Sequence, residues 1–191
     1  MLNIVHMFIV TGLGNPSKEF ENTPHNAGYM FVDQLREFLV QESSLEINDW
    51  SDEKRMFLSS ICKVKKAGEL IGILQKPLTY MNSSGSAVKL LLNKFPCDQY
   101  ILAHDDLDMP LGRYKIQFGK SPKSHKGVLS VESALGDKAF LRVRIGGDNR
   151  GNRIISGDEY VLMPYTDKEI ALLGKCIKDS ILDLNSNYLQ L

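Results

Sequence analysis

Three polar clusters carry the residues best suited to chemistry: Asn15 with His25, Met81 with Asn82, and His104 with Asp105. Brought to one place, they supply a base, a carboxylate and two amides. Asp105 can accept a hydrogen bond from one imidazole nitrogen of His25, fixing the tautomer and raising its basicity. The other nitrogen is then free to take a proton from water. Asn15 and Asn82 can hold or polarise a carbonyl, as side-chain amides do in oxyanion holes. No serine or cysteine stands in a nucleophile-elbow pattern, so direct attack by water fits better than a covalent acyl intermediate.

His25 draws attention through its setting. It follows Gly12-Leu-Gly-Asn-Pro16 by nine residues, and His25-Asn-Ala-Gly28 leads into apolar residues at helical spacing from Gly28 to Leu39. An apolar strand, Ile4 to Val10, comes first. The segment between is a strand-to-helix connection, the usual address for a ligand or catalytic group on an α/β sheet. A histidine just ahead of a helix feels the positive end of its dipole, which favours the neutral form that a base requires. The plainer role for such a residue is a cap or a surface histidine, and His25 alone does not decide between them.

Other chemistries fit less well. Gly12-Leu-Gly14 followed by Ser17 is not G-x-G-x-x-G, and no suitably placed acid follows, which argues against a dinucleotide site. Gly119-Lys-Ser121 resembles the end of a phosphate loop, but the preceding glycine, Gly112, stands at the wrong spacing. His104-Asp-Asp-Leu-Asp108 has the oxygen ligands of a hard-cation site. Aspartates in such a turn more often cap backbone amides, so neither a metal nor a cofactor is expected.

The elements that must position these residues are legible in outline. After the first strand and helix, residues 48–54 read as a polar connection. Met56 to Val64 and Leu70 to Gln75 read as a hairpin across Lys66-Ala-Gly-Glu69. Lys76 to Asn82 is a loop, and Ser83 is placed to cap a helix carrying Val88, Leu91, Leu92 and Phe95. Tyr100 to His104 is a short buried strand that ends in the aspartate cluster. A strand at Arg113 to Phe118, a polar loop to Lys126 and a helix from Val128 to Leu135 follow. Leu141, Val143 and Ile145 alternate with Arg142 and Arg144, which puts both arginines on one face of a strand. A loop from Gly146 to Asp158 leads to Thr166-Asp-Lys-Glu169, a capping box opening the last helix, which runs to about Leu184 or beyond. Strands alternating with helices predict an α/β fold: a single domain over residues 1–191, with a twisted mixed sheet flanked by helices.

Composition narrows the setting. The chain has 191 residues and a net charge of zero, from 23 basic and 23 acidic side chains. Between residues 113 and 153, however, ten are basic and three acidic. A local surplus of this kind can mark a face that meets phosphate; a solvated charged surface is the alternative. Cys62, Cys97 and Cys176 are odd in number and in no metal or redox spacing, which fits a reducing, cytoplasmic setting. Met1 to Val10 lacks a basic leader and a cleavage site, and no run approaches membrane-spanning length. A soluble protein with no membrane partner is expected.

Taken together the motifs resemble those of the bacterial-type peptidyl-tRNA hydrolases. They are Gly12-Leu-Gly-Asn-Pro16, His25-Asn-Ala-Gly28, Pro77-Leu-Thr-Tyr-Met-Asn82-x-Ser-Gly85, Ala103-His-Asp-Asp-Leu-Asp-x-Pro-x-Gly112 and Arg142-Val-Arg-Ile-Gly146, in the family's order. The resemblance implies a monomeric, metal-free enzyme that cleaves the ester between a stalled peptide and its tRNA. By it, His25 is the base and Asp105 its partner. Asn15, Tyr80, Met81, Asn82, His125 and Lys126 belong to the substrate cleft, and Lys115 and Arg144 meet tRNA phosphate. Specificity would rest on phosphate contacts and the single-stranded acceptor end.

Three positions and the C-terminal tail depart from the family pattern. Lys126 stands where an asparagine of the cleft is expected, in Ser124-His125-Lys126-Gly127. A lysine beside His25 would weaken it as a base; pointing outward, the same lysine would add a phosphate contact, as Lys120 and Lys123 can. Gln117 replaces a second basic residue, Pro24 replaces an arginine before the histidine, and the C-terminal tail is short. Two other functions therefore stand beside the hydrolase: an RNA-binding relative that has lost catalysis, and a metal-dependent hydrolase built on the Asp105 cluster.

Overall fold

The apolar run near the N-terminus becomes the middle of the sheet. In the computed structural model, which describes residues 7–120, 122 and 124–191, Phe8–Gly12 (β1) is buried along its whole length and pairs in parallel on both sides. A strand flanked in this way has no solvent face, so its residues are nearly all apolar or small. Its one hydroxyl, on Thr11, donates to Gln75 Oε1 at 2.7 Å. Residues 4–6 of the expected strand lie outside the described residues.

The chain continues through α1 (Ala27–Val40), the short strands β2 (Leu45–Ile47) and β3 (Ser51–Glu53), a helical turn α2 (Lys54–Phe57) and a hairpin of β4 (Ser59–Lys66) and β5 (Glu69–Pro77). Then come α3 (Ser84–Lys94), β6 (Gln99–Pro110), β7 (Tyr114–Phe118), α4 (Lys126–Leu135), β8 (Leu141–Asp148), α5 (Gly157–Tyr160) and α6 (Asp167–Leu184). The sheet order is β2-β4-β5-β1-β6-β8-β7, with β3 also paired to β4. β5, β1, β6 and β8 run parallel, and the antiparallel β4 and β7 make the sheet mixed, as expected. Helices α1 and α6 pack Phe31, Leu35, Leu173 and Ile177 on one face. Helices α3 and α4 pack Val88, Leu91, Val128 and Val131 on the other.

Two glycines set how closely the first helix approaches the sheet. A Cβ on Gly12 would lie 2.0 Å from the Gly28 carbonyl oxygen, and one on Gly28 would lie 2.4 Å from the backbones of Leu13 and Ala103. Glycine at both is a steric requirement, and it holds the loop carrying Asn15 and His25 against β6.

Several boundaries differ from the sequence expectation. The connection at 48–54 contains β3, and the strand expected from Met56 begins only at Ser59, because Lys54–Phe57 forms a helical turn closed by a left-handed Leu58 (φ 50°). β6 does not stop at His104: it pairs with β8 through Asp106 and again at Pro110, across an irregularity that absorbs the aspartates. Ser83 occupies the cap position of α3 without capping it; Ser84 Oγ instead donates to the Met81 carbonyl at 2.9 Å. The Thr166–Glu169 capping box is present, with Glu169 Oε2 accepting from the Thr166 amide at 2.8 Å.

Candidate active site

The loops after β1 and β5 meet the C-terminal half of β6, and the three polar clusters converge there. Asn15 is held on two sides. Its backbone N–H donates to Asn26 Oδ1 at 2.8 Å, and Asn26 Nδ2 returns a bond to the Asn15 carbonyl at 3.1 Å. Its side-chain Oδ1 accepts from the Met81 amide at 2.9 Å. With the oxygen committed, Nδ2 is left as a donor for a carbonyl in the cleft. Asn26 was not singled out from the sequence; its place directly after His25, opening α1, was the available signal.

His25 lies in a turn, Pro24–Asn26, that begins with proline and is tied by its amide to the Val161 carbonyl at 3.1 Å. Its Nδ1 lies 2.9 Å from Asp105 Oδ1. His125 Nε2 lies 2.8 Å from the same oxygen. The protons follow from the partners. His125 Nδ1 accepts from the Gly127 and Val128 amides, at 3.1 and 3.2 Å, as the cap of α4. It therefore carries no proton, and its Nε2–H donates to Asp105. His25 likewise donates through Nδ1–H, which leaves the Nε2 lone pair free to act as a base. Burial alone would raise the Asp105 pKa, but the two imidazole N–H groups that donate to it hold it well below the usual carboxylate range. Asp105 is thus an anion that orients one histidine and is itself held by another.

His104 is fully buried beneath this pair, 5.1 Å ring to ring from His125, and its Nδ1–H donates to the Asp105 carbonyl at 2.7 Å. Burial first, and the neighbouring His125 second, push its pKa down to about 3, so it is neutral.

The side chains of His25, Asp105 and His125 bring possible metal-ligand atoms within 4.8 Å of one another. The donor set does not suit an ion, because His125 presents an N–H at the shared centre and cannot reverse its tautomer without losing the cap of α4. A hard-cation site at residues 105–108 fits no better. Asp106 is paired with Arg144 at 2.7 Å and also accepts from the Asp108 amide at 2.9 Å, the capping role expected of aspartates here.

His25 lies between two compartments of one cleft. Asn15, Tyr80, Met81, Asn82 and Leu162 line one; Asp105, Leu107, Asp108, His125 and Arg150 line the other. Tyr80 and Asn82 are exposed, whereas Met81 is buried against the core. Lys126 does not turn in beside the base: its Nζ pairs with Asp158 Oδ2 at 2.9 Å on the rim. His125 lines the cleft but is only 4% exposed, and both its ring nitrogens are spent, on Asp105 and on α4.

A family model described as peptidyl-tRNA hydrolase matches residues 9–189, nearly the whole chain. This chain belongs to the peptidyl-tRNA hydrolase family. It is 38% identical over 179 residues to the peptidyl-tRNA hydrolase of Carboxydothermus hydrogenoformans, covering 90% of this chain and 87% of that protein. It is 37% identical to that of Aquifex aeolicus, covering 91% and 85%. Among solved structures, the peptidyl-tRNA hydrolase of Acinetobacter baumannii superposes with a TM-score of 0.76 at 27% identity, over 97% of this chain and 90% of that one.

The exposed basic surface is narrower than the sequence suggests. Arg142 and Arg144 do share a face of β8, but both are buried there. Arg142 is fully buried, paired with Glu132 at 2.7 Å and lying 4.3 Å above the Phe140 ring. Arg144, expected on phosphate, is 7% exposed and donates to Asp106 and to Gln117 Oε1 at 2.7 and 2.6 Å. Gln117, the departure from a basic residue, supplies an acceptor that a lysine could not. Arg150 is bound to Asp148 at 2.8 Å. Lys115, opposite Arg144 on the edge strand β7, and Arg113 and Lys120 beside it are exposed; Lys123 lies outside the described residues. Among those described, no helix is long and apolar enough to cross a membrane.

Proposed function

We propose that this protein hydrolyses the ester joining a peptide to the terminal ribose of tRNA, acting as a cytoplasmic monomer without a metal. His25 Nε2 takes a proton from water as the water oxygen attacks the ester carbonyl carbon. Asn15 Nδ2, with the Asn82 amide, stabilises the oxyanion that forms. On collapse the carbon–oxygen bond to ribose breaks, and the leaving ribose oxygen takes the proton back from the imidazolium. Asp105 keeps His25 in the reactive tautomer throughout and offsets its transient positive charge. The peptide lies toward Tyr80, Met81 and Asn82, and the acceptor end of the tRNA toward Lys126 and the exposed basic edge at Lys115.

The observation that carries this reading is the His25–Asp105 bond of 2.9 Å on a histidine that lines the cleft. Purified protein incubated with an N-acetylaminoacyl-tRNA is expected to release the N-acetylated amino acid. Release should vanish with His25→Ala and persist in chelator. tRNA that is bound but never cleaved would instead make the protein an RNA-binding relative, and loss of release in chelator would return the metal-dependent reading.

A further inference from the structure

An ion pair bridges the rim of the cleft. Lys126 stands in the first turn of α4 and Asp158 on α5, and both side chains are well exposed, at 59% and 78%. The two compartments share four lining residues, His25, Lys126, Asp158 and Val161. A substrate whose ester sits over His25 has one arm in each compartment, so the Lys126–Asp158 pair lies across its path. We propose that this pair is a latch opened by the ribose-phosphate end of the RNA, with the Lys126 ammonium leaving Asp158 for a backbone phosphodiester. The inference rests on the hydrolase reading above.

The chemistry suits an exchange of partners. A pair this exposed shifts an equilibrium by at most about fivefold, so a polyanion entering the cleft can compete for the ammonium. Lysine carries three donors on a flexible stem and meets phosphate as a point charge. An asparagine at the same position could neither pair with Asp158 nor neutralise a phosphate. Beneath the latch, Asp105 is taken by two imidazoles and Asp106 by Arg144, so neither draws Lys126 down onto the base.

The test is a double-mutant cycle in kcat/KM on N-acetylaminoacyl-tRNA with Lys126→Met and Asp158→Asn. Asp158→Asn alone frees Lys126 for phosphate and should raise kcat/KM by up to about fivefold. Lys126→Met alone gives up the phosphodiester contact along with the ion pair and should lower kcat/KM by up to about fivefold. In the Asp158→Asn background, Lys126→Met should cancel the gain, because only a free Lys126 delivers it. A gain from Asp158→Asn of the same size with and without Lys126 would overturn the latch, since Asp158 would then act only as a charge repelling RNA. A loss on Asp158→Asn would overturn it too, by making the closed pair part of the productive complex. In both cases a working wild-type enzyme leaves the hydrolase reading intact. A wild-type protein that releases nothing brings down that reading and the latch together.

Discussion

Replacing His125 separates two jobs that its two nitrogens perform, and the structure gives each a magnitude. Nδ1 caps α4 by accepting from two backbone amides, and Nε2–H donates to the buried, ionised Asp105 at 2.8 Å. An N-cap is worth about 1 kcal/mol, and a hydrogen bond to a buried charged group about 1.5–3 kcal/mol. His125→Ala should therefore cost roughly 2.5–4 kcal/mol. At about 2–4 °C per kcal/mol for a chain of this size, that corresponds to a fall in Tm on the order of 10 °C. His125→Asn keeps an acceptor for the amides of α4, but its shorter side chain cannot also reach Asp105. It should recover about 1 kcal/mol of the loss and no more. Equilibrium urea unfolding near pH 7.5 measures both, and an unchanged m-value ties the effect to the folded state. An alanine variant that loses less than about 1 kcal/mol would refute the bond to Asp105 as a strong one. An asparagine variant as unstable as the alanine one would refute the cap.

Four further outcomes are expected. His104 protonates near its ordinary value when unfolded but only at about 3 when folded. Between those values the unfolded chain binds the extra proton, so stability falls by about 1.4 kcal/mol per pH unit on acidification from pH 6.5. His104→Gln should flatten unfolding free energy against pH by ~2 kcal/mol between pH 6.5 and 5, and an unchanged slope would mean that His104 titrates alike in both states. Arg144→Ala leaves Asp106 buried without its cation and should cost about 3–5 kcal/mol of stability. Lys115→Ala should leave unfolding unchanged and lower the slope of log tRNA affinity against log salt by about 0.7–0.9; the reverse pattern would put Arg144, not Lys115, on phosphate. Asn15→Asp keeps the acceptor for the Met81 amide but removes the Nδ2 donor, so kcat should fall about 10²–10³-fold, and a rate within tenfold of wild type would remove Asn15 from the oxyanion site.

The sequence by itself determined the parts that depend on local pattern. The apolar run before Gly12, the helical spacing after Gly28 and the capping box at Thr166 each act over a few residues, and the structure follows them. The pairing of His25 with Asp105 was also legible, because the residue types leave few other ways to build a base and its carboxylate from these loops. Tertiary structure alone decided what covers each face. Alternation along β8 correctly put Arg142 and Arg144 on one side, but a period of two does not say whether that side meets solvent or a helix. Glu132 of α4 buries Arg142, and Asp106 of β6 with Gln117 of β7 encloses Arg144, on a face that the sequence left open to phosphate or to solvent. The same helix decided the fates of two neighbours. His125, at its N-terminus, was drawn inward to cap amides and bind Asp105, while Lys126, one residue on, was turned outward to Asp158. Such assignments depend on partners up to 38 residues away, and burial of a charge is tolerated only where those partners meet it.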